Sequence, residues 1–564
     1  MSPPRVPSAD RSVSQPNAVH AAAQSPAHIA TQIEAFLADH SEAAVLEDGK
    51  VVFDLRSAKA SLSTEYDRCT LHLWSEERNL VRQIVSVAER AGSLRLATQR
   101  FGHAQTKLLE LVGSRERRTP TTRETARQRY VKTLERVLGR AFADWTCEGF
   151  RTAMDLERSF GPAYARGSLV QGQQAWAVIG VNAEETQATV DGILTLGVLW
   201  LAYCREHAGG RRLYRGLRVV VPKGMATLTA SRLSWMNDDA AQWELWELDE
   251  KTEELEQRDA ADHGNLSTRL VHAPNQVTVQ ERFADEIARV MELVPVEGRS
   301  IVEQRVRSST ELAFLLHGLE FARIRAGYAG LGFNRVHEIT LGAGASETPL
   351  TDANEADLRE MVAQLFSRRS VAQADRVGVG AGRTLPPAGR GSARDPLYRM
   401  QPERWLESVL RRDVTALDER LDAAHVYTQV PAFAASDRGM LDLLGVDRDG
   451  RLAVIELKAD DDLQLAMQGL DYWVRVRWHH MQNGDASGQP SFGLGEFQRH
   501  GYFTGVRLSA EAPKLYLAAP ALRIHPATET VLRYVSPRVE WELIALDERW
   551  RERVRVVWRK RSKG

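Results

Sequence analysis

At 564 residues, with 43% apolar and 26% charged side chains, the chain has ordinary globular composition and length for three to four domains of about 150 residues. That excludes a disordered, collagen-like or coiled-coil protein. Lys plus Arg total 74 against 75 Asp plus Glu, a net charge of −1, so nucleic-acid binding must be sought in local patches. Cys69, Cys147 and Cys204 lie far apart and form no CxxC pair, which suits a reducing, cytoplasmic setting.

Residues 1–30, rich in Ser, Pro, Ala and Gln, lack the apolar core of a signal peptide and read as a disordered tail. The most apolar stretch, Gly192 to Cys204, falls short of the ~20 residues of a membrane helix, so a buried helix and no membrane association are expected. Residues 31–115 read as an α/β domain of unknown role. Strands are expected at Val51–Leu55, Thr70–Trp74 and Ser93–Thr98, and a helical run near Glu77–Ala91. Residues 115–140 carry nine Arg/Lys against three Glu over an amphipathic helix, either a solvated face or a phosphate-contacting one. From 116 to 235 the pattern is helix, strands, helix, strand, helix. Residues 238–262 hold eleven Asp/Glu against Lys251 and Arg258. They open a mainly helical region, 236–368, with helices at Val277–Leu293, after a capping box at Ser308–Glu311, and at Glu355–Phe366. Residues 369–398, rich in Gly, Pro and Arg, form a linker; their GVGAG follows no strand and opens no helix, so it is no nucleotide loop.

The domain at 399–564 carries the chemistry. A helix at Glu403–Arg411 turns Trp405, Leu406, Val409 and Leu410 inward. Strands follow at His425–Val430, after a turn at Ser436–Gly439, and at Arg451–Lys458, then a helix at Asp461–Trp478 and a strand at Lys514–Ala519. Glu456 and Lys458 share one strand face with Leu452 and Val454, and two buried charges there need compensation. A three-residue hairpin loop, Arg448 to Gly450 with Gly450 left-handed, sets Asp442 opposite Glu456 on that face.

A helix Glu, a hairpin Asp, then Glu-x-Lys, on a helix–strand–strand–strand–helix–strand order, resembles the PD-(D/E)xK nuclease superfamily, the restriction-endonuclease-like fold. Gln468 and Tyr472 match the QxxxY element of its RecB-like branch. The run from Gly439 to Lys458 looks most like the NucS/EndoMS-type endonucleases, although Leu441 stands where a proline is usual. The resemblance covers the C-terminal domain only. It implies a mixed sheet flanked by helices, with Asp442 and Glu456 holding Mg²⁺ (Mn²⁺ substituting), Glu407 completing the metal shell directly or through water, and Lys458 serving the attacking water. Glu403, one turn before Glu407, is the second choice for the helix carboxylate. Catalytic residues are thus Glu407, Asp442, Glu456 and Lys458.

Gln468 and Tyr472 either contact substrate phosphate or pack the helix. Arg475 and Arg477, among the aromatics of Tyr472–His480, are expected substrate contacts, as are eight Arg/Lys between Arg549 and Lys563, unless these guard an edge strand. His479 and His480 have no third ligand at zinc spacing.

An internal likeness adds a degenerate second copy at 116–235. Trp176–Asn182 lines up with Leu452–Lys458, each followed by a long helix and a strand ending in proline (LRVVVP, LYLAAP). In that register Gly180 and Asn182 take the places of Glu456 and Lys458, and Arg166, fourteen residues before Gly180, stands where Asp442 does. A chance match of common strand residues is the competing reading. The expected fold is therefore mixed α/β and multidomain. The expected function is a metal-dependent DNA endonuclease in repair or in defence against foreign DNA, with two-fold assembly (a homodimer) accounting for double-strand cutting. The alternatives are a non-catalytic nucleic-acid-binding scaffold and an RNA-directed nuclease.

Overall fold

The computed structural model describes residues 25–562 apart from 41–42, 48–49, 56–57, 65–67, 75–78, 91–92, 100–105, 114–119, 156–158, 261–267, 330–333, 343–346, 370–394, 435–436 and 482–494. It is a mixed α/β, multidomain protein. Two compact units divide it, residues 1–132 with 152–154, and residues 133–151 with 155–564.

In the first unit a seven-stranded antiparallel sheet packs against the helix Pro26–Asp39. That helix starts on Ser25, whose side chain accepts from His28 N, with Pro26 in the first turn, where its missing N–H costs nothing. The expected tail is thus helical from residue 26, and its first 24 residues lie outside the described residues. Cys69–Trp74 alternates buried and half-buried side chains as expected. The run expected to be helical is instead the strand Asn79–Arg90. Val81, Ile84, Val85 and Val87 suit a pleated surface, and pairing on both sides outweighs the helical spacing.

The second unit holds three sheets. Residues 276–369 form a five-stranded antiparallel sheet covered by the helices Gln276–Arg282, Ala284–Leu293 and Glu355–Arg369, so the mainly helical reading fails. The expected capping box is a turn between the strands Val302–Ser308 and Glu311–Leu316, where Ser308 Oγ accepts from Thr310 N at 3.2 Å. A short hydroxyl side chain serves a turn as readily as a helix start. The acidic segment forms the strands Gln242–Asp249 and Glu254–Arg258. Glu253 between them accepts from Arg136 at 3.1 Å and pairs with Arg140, so the basic helix Pro120–Ala141 spends charge inside the fold. Most of the expected linker, 370–394, lies outside the described residues; Pro396–Arg399 is a short helix.

The other two sheets repeat one plan. The chain runs from the helix Pro120–Ala141 through the strands Thr146–Arg151, Tyr164–Gln171 and Gln174–Val181, the helix Ile193–His207, the strand Leu213–Pro222, the helix Thr227–Leu233 and the strand Gln242–Asp249. Successive strand pairs are antiparallel, antiparallel, parallel and parallel, and Glu254–Arg258 closes the edge antiparallel. The C-terminal elements are the helix Pro402–Arg412, the strands Tyr427–Ala434, Asp437–Val446 and Leu452–Leu457, the helix Leu465–Met481, the strand Lys514–Pro520, the helix Pro526–Leu532 and the strand Trp541–Leu546. The strand directions are the same, with Val556–Arg561 at the edge. The strand Asp437–Val446 absorbs the turn expected at Ser436–Gly439.

By composition and length Gln187–His207 would span a membrane, but Ile193–His207 lies in the apolar core shared by the two copies. Gly197 and Gly469 sit alike on the two long helices. A Cβ on Gly197 would meet Leu217 at 2.8 Å and Ile179 at 2.9 Å; one on Gly469 would meet Leu517 at 2.4 Å and Glu456 Cβ at 3.6 Å. Ile179, not Gly180, thus holds the place of Glu456, and the position of Lys458 falls on Val181 rather than Asn182. The sequence alignment was one residue out because the hairpin before Gln174 is shorter, a difference that identity of strand residues does not reveal.

Candidate active site

The hairpin sets the site. Asp447 N donates to Arg451 O at 2.9 Å around Arg448–Gly450, and Gly450 has φ +83° with its Cβ position 2.1 Å from Arg507 O, so only glycine fits. Leu443 pairs with Ile455 and Leu444 with Val454, which brings Asp442 opposite Glu456. Asp442 Oδ2 accepts from Leu457 N at 2.9 Å. Leu452 and Val454 pack on one side of the strand and Ala453, Ile455 and Leu457 on the other.

Lys458 Nζ donates to Glu456 Oε1 at 3.2 Å and lies 3.8 Å from Asp462 Oδ2 and 3.9 Å from Glu403 Oε1. Glu456 is buried, and its Oε2 has no hydrogen-bond partner. Burial, then the carboxylate of Asp442, pushes the Glu456 carboxyl well above the usual range. Burial raises Asp442 also, against the Leu457 N–H, Lys458 and Arg404. Burial works to lower Lys458, but the carboxylates of Glu456, Glu403, Asp442 and Asp462 outweigh it and hold the ammonium above its ordinary value. The site is therefore short of positive charge.

Glu407 lies on the helix Pro402–Arg412, one turn after Glu403. It is buried, with Arg305 Nη2 at 3.2 Å from Oε1, Gln429 Nε2 donating to Oε2 at 3.3 Å and Arg404 at 3.9 Å. These partners offset its charge, while Oε1 is left without a hydrogen bond, and Glu403 is the helix carboxylate beside Lys458. Sequence reading missed Arg305, which belongs to the five-stranded sheet, and Gln429. Gln429 stands across from Asp442 in the strand pairing, at φ +50°, and accepts from Arg307 Nη1 at 2.8 Å. A left-handed non-glycine residue beside a cluster of charges is strain of the kind functional sites retain. No sequence signal marks it.

The helix Leu465–Met481 brings Gln468 and Tyr472 to the site. Gln468 Oε1 is buried without a hydrogen-bond partner. Burial, then Glu456 and Asp442, raises the Tyr472 phenol. Gly469 permits this approach. We expect Gly469→Ala to cost about 1–3 kcal/mol in urea unfolding and to lower any activity of the site, because a methyl would wedge the helix off Leu517.

Arg475 and Arg477 lie along the same helix. Arg475 is 3% exposed, and Arg477 lies 4.6 Å over the Trp235 ring in the seam between copies. Arg475 thus faces the interior while Arg477 stays half-buried, which a mixed basic–aromatic pattern cannot tell. His479 is paired with Glu496 at 2.9 Å. Of the C-terminal basic run, Arg559 and Arg561 lie 2.9 and 3.2 Å from the buried Glu542, which Lys514 also reaches at 2.8 Å. These arginines compensate an internal charge along an edge strand.

Asp442 and Glu456 present hard oxygen donors, one of them unpartnered, in a site lacking positive charge, which fits a divalent cation. Among the described residues no three His, Cys, Asp or Glu side chains converge as a closed ligand set. Two carboxylates leaving room for water and substrate oxygens suit Mg²⁺. No protein-family model matches the chain, and no curated protein does.

Proposed function

We propose that the chain is a Mg²⁺-dependent DNA endonuclease that hydrolyses phosphodiester bonds at the site built on Asp442, Glu456 and Lys458. The observation that carries this reading is the cross-strand placement of Asp442 against Glu456, with the Lys458 ammonium on the Glu456 carboxylate. Asp442 and Glu456 would hold the metal; once bound, it neutralises charge on the scissile phosphate and acidifies a bound water. The site lies at the C-terminal end of Leu452–Leu457, beside a parallel neighbour, where open α/β sheets take ligands.

The chain's own groups do the rest. Lys458, charged at neutral pH, orients the attacking water and offsets negative charge as it develops on the phosphate. Glu403 lies within reach of that ammonium and helps fix its direction. Gln468 offers its unpartnered amide oxygen as an acceptor to a substrate donor or water. The PD-(D/E)xK resemblance, with roles in repair or in defence against foreign DNA, supports the same reading.

Labelled single-stranded, duplex, branched and mismatched DNA incubated with the protein in Mg²⁺ or Mn²⁺ tests it. We expect metal-dependent cutting, and Lys458→Ala lowers kcat by about 10²–10³-fold. Binding without cutting on every substrate would replace the nuclease by a nucleic-acid-binding protein.

A further inference from the structure

The two copies contact one another reciprocally. Met236 bridges Val535 in antiparallel fashion. Asn237 N donates to Tyr534 O and Ser536 N to Trp235 O, both at 2.8 Å. Exchanging the copies turns the first bond into the second. The side chains follow the same exchange. Arg477, on the long helix of the C-terminal copy, lies 4.6 Å over Trp235 of the other; Arg205, on the long helix of that copy, lies 5.7 Å over Tyr534. Each long helix also packs on its partner's short one, Leu465–Met481 on Thr227–Leu233 and Ile193–His207 on Pro526–Leu532. Self-complementary contacts of this kind define an isologous, two-fold interface. Here one chain supplies both halves.

Only one half carries the chemistry. In the N-terminal copy Arg166 pairs with Ile179, in the places of Asp442 and Glu456, and Val181 follows where Lys458 stands. Arg166 is 1% exposed, with its guanidinium 4.6 Å over Phe160 and 5.9 Å from Trp200, so a buried cation fills the ground where the other copy is short of positive charge. Among the described residues, the two positions that hold Asp442 and Glu456 in the other copy carry no carboxylate here.

We infer that the chain is a built-in pseudo-dimer with a single live centre, and that its product on duplex DNA is a nick in one strand. The inference rests on the nuclease reading. Two centres related by a two-fold axis like that of the duplex set one on each strand, the arrangement that cuts both in one encounter. The surface through which two catalytic copies would meet in this way is already taken by the silent copy.

Covalently closed supercoiled plasmid, incubated with the full chain and Mg²⁺, separates the outcomes. The expected first product is open circular DNA, which accumulates before any linear form; the chain runs as a monomer by light scattering, and Asp442→Asn leaves the plasmid closed. Linear DNA formed as fast as the supercoiled form disappears, with no open-circle stage, overturns the inference while keeping the nuclease. Cutting of single strands with closed plasmid left intact does the same. No cleavage of any DNA overturns both readings. Nicking that persists in Asp442→Asn removes this centre as its source.

Discussion

Asp442→Asn is expected to abolish cleavage, by about 10³-fold or more, and at the same time to make the metal-free protein more stable at neutral pH. The opposed signs follow from the electrostatics. Asparagine keeps the acceptor for Leu457 N and removes the charge that faces Glu456. Burial, and for Glu456 the neighbouring carboxylate, raises both carboxyls above their ordinary values of 3.8 and 4.5. A group whose folded pKa is raised stabilises the fold fully below its unfolded value, and the contribution is lost as pH rises through the folded value. The wild-type protein without metal therefore loses stability as pH climbs above 4.5, and the variant loses less. Melting curves between acid and neutral pH check this: an increase of about 2–4 °C in Tm accompanies each kcal/mol gained in a domain of this size. Mg²⁺ raises the Tm of the wild type and leaves the variant almost unmoved, since a ligand stabilises only the fold that binds it. A variant that melts lower than wild type at neutral pH would show that Asp442 is a structural anchor instead.

The C-terminal domain was legible because its signals are local. The D-G turn after Asp447, period-two alternation along Leu452–Leu457 and the parity of a three-residue loop fix which side chains share a face, and Asp442 meets Glu456 accordingly. The repeat was legible in outline for the same reason, yet its register slipped because loop length is not written in strand residues. What failed was whatever depends on partners distant in sequence. Asn79–Arg90 carries a helix-like spacing that only neighbouring strands overrule. Arg475 reads as an exposed phosphate contact until the packing of its helix turns it inward, beside Tyr472. Arg305, the partner of Glu407, is not announced by anything nearby in the chain, because it lies on a separate sheet.

That arginine carries the other large effect. Arg305 is 8% exposed and joins Glu407 at 3.2 Å to Glu303 at 2.7 Å, and Arg411 returns to Glu303 at 2.9 Å. Burial works to raise Glu303, but Arg305 and Arg411 outweigh it and hold the carboxyl below its ordinary value. Removing one partner from such a cluster strands a buried charge, whereas replacing both by apolar groups of similar volume is often nearly neutral. Arg305→Met is therefore expected to lower stability by about 3–5 kcal/mol in urea unfolding, and Arg305→Met with Glu407→Met to recover most of that loss. A double variant that costs the sum of the two singles would deny the coupling. Activity gives the independent readout. Burial already raises the Glu407 carboxyl, and Gln429 and Arg404 remain to hold its neutral amide counterpart. Glu407→Gln should thus keep Mg²⁺-dependent cutting with a reduced rate and an unchanged metal requirement, unlike Asp442→Asn. Loss as complete as that of Asp442→Asn would return Glu407 to the metal. Retention makes it a positioning residue, through which the five-stranded sheet steadies the helix that presents Glu403 to Lys458.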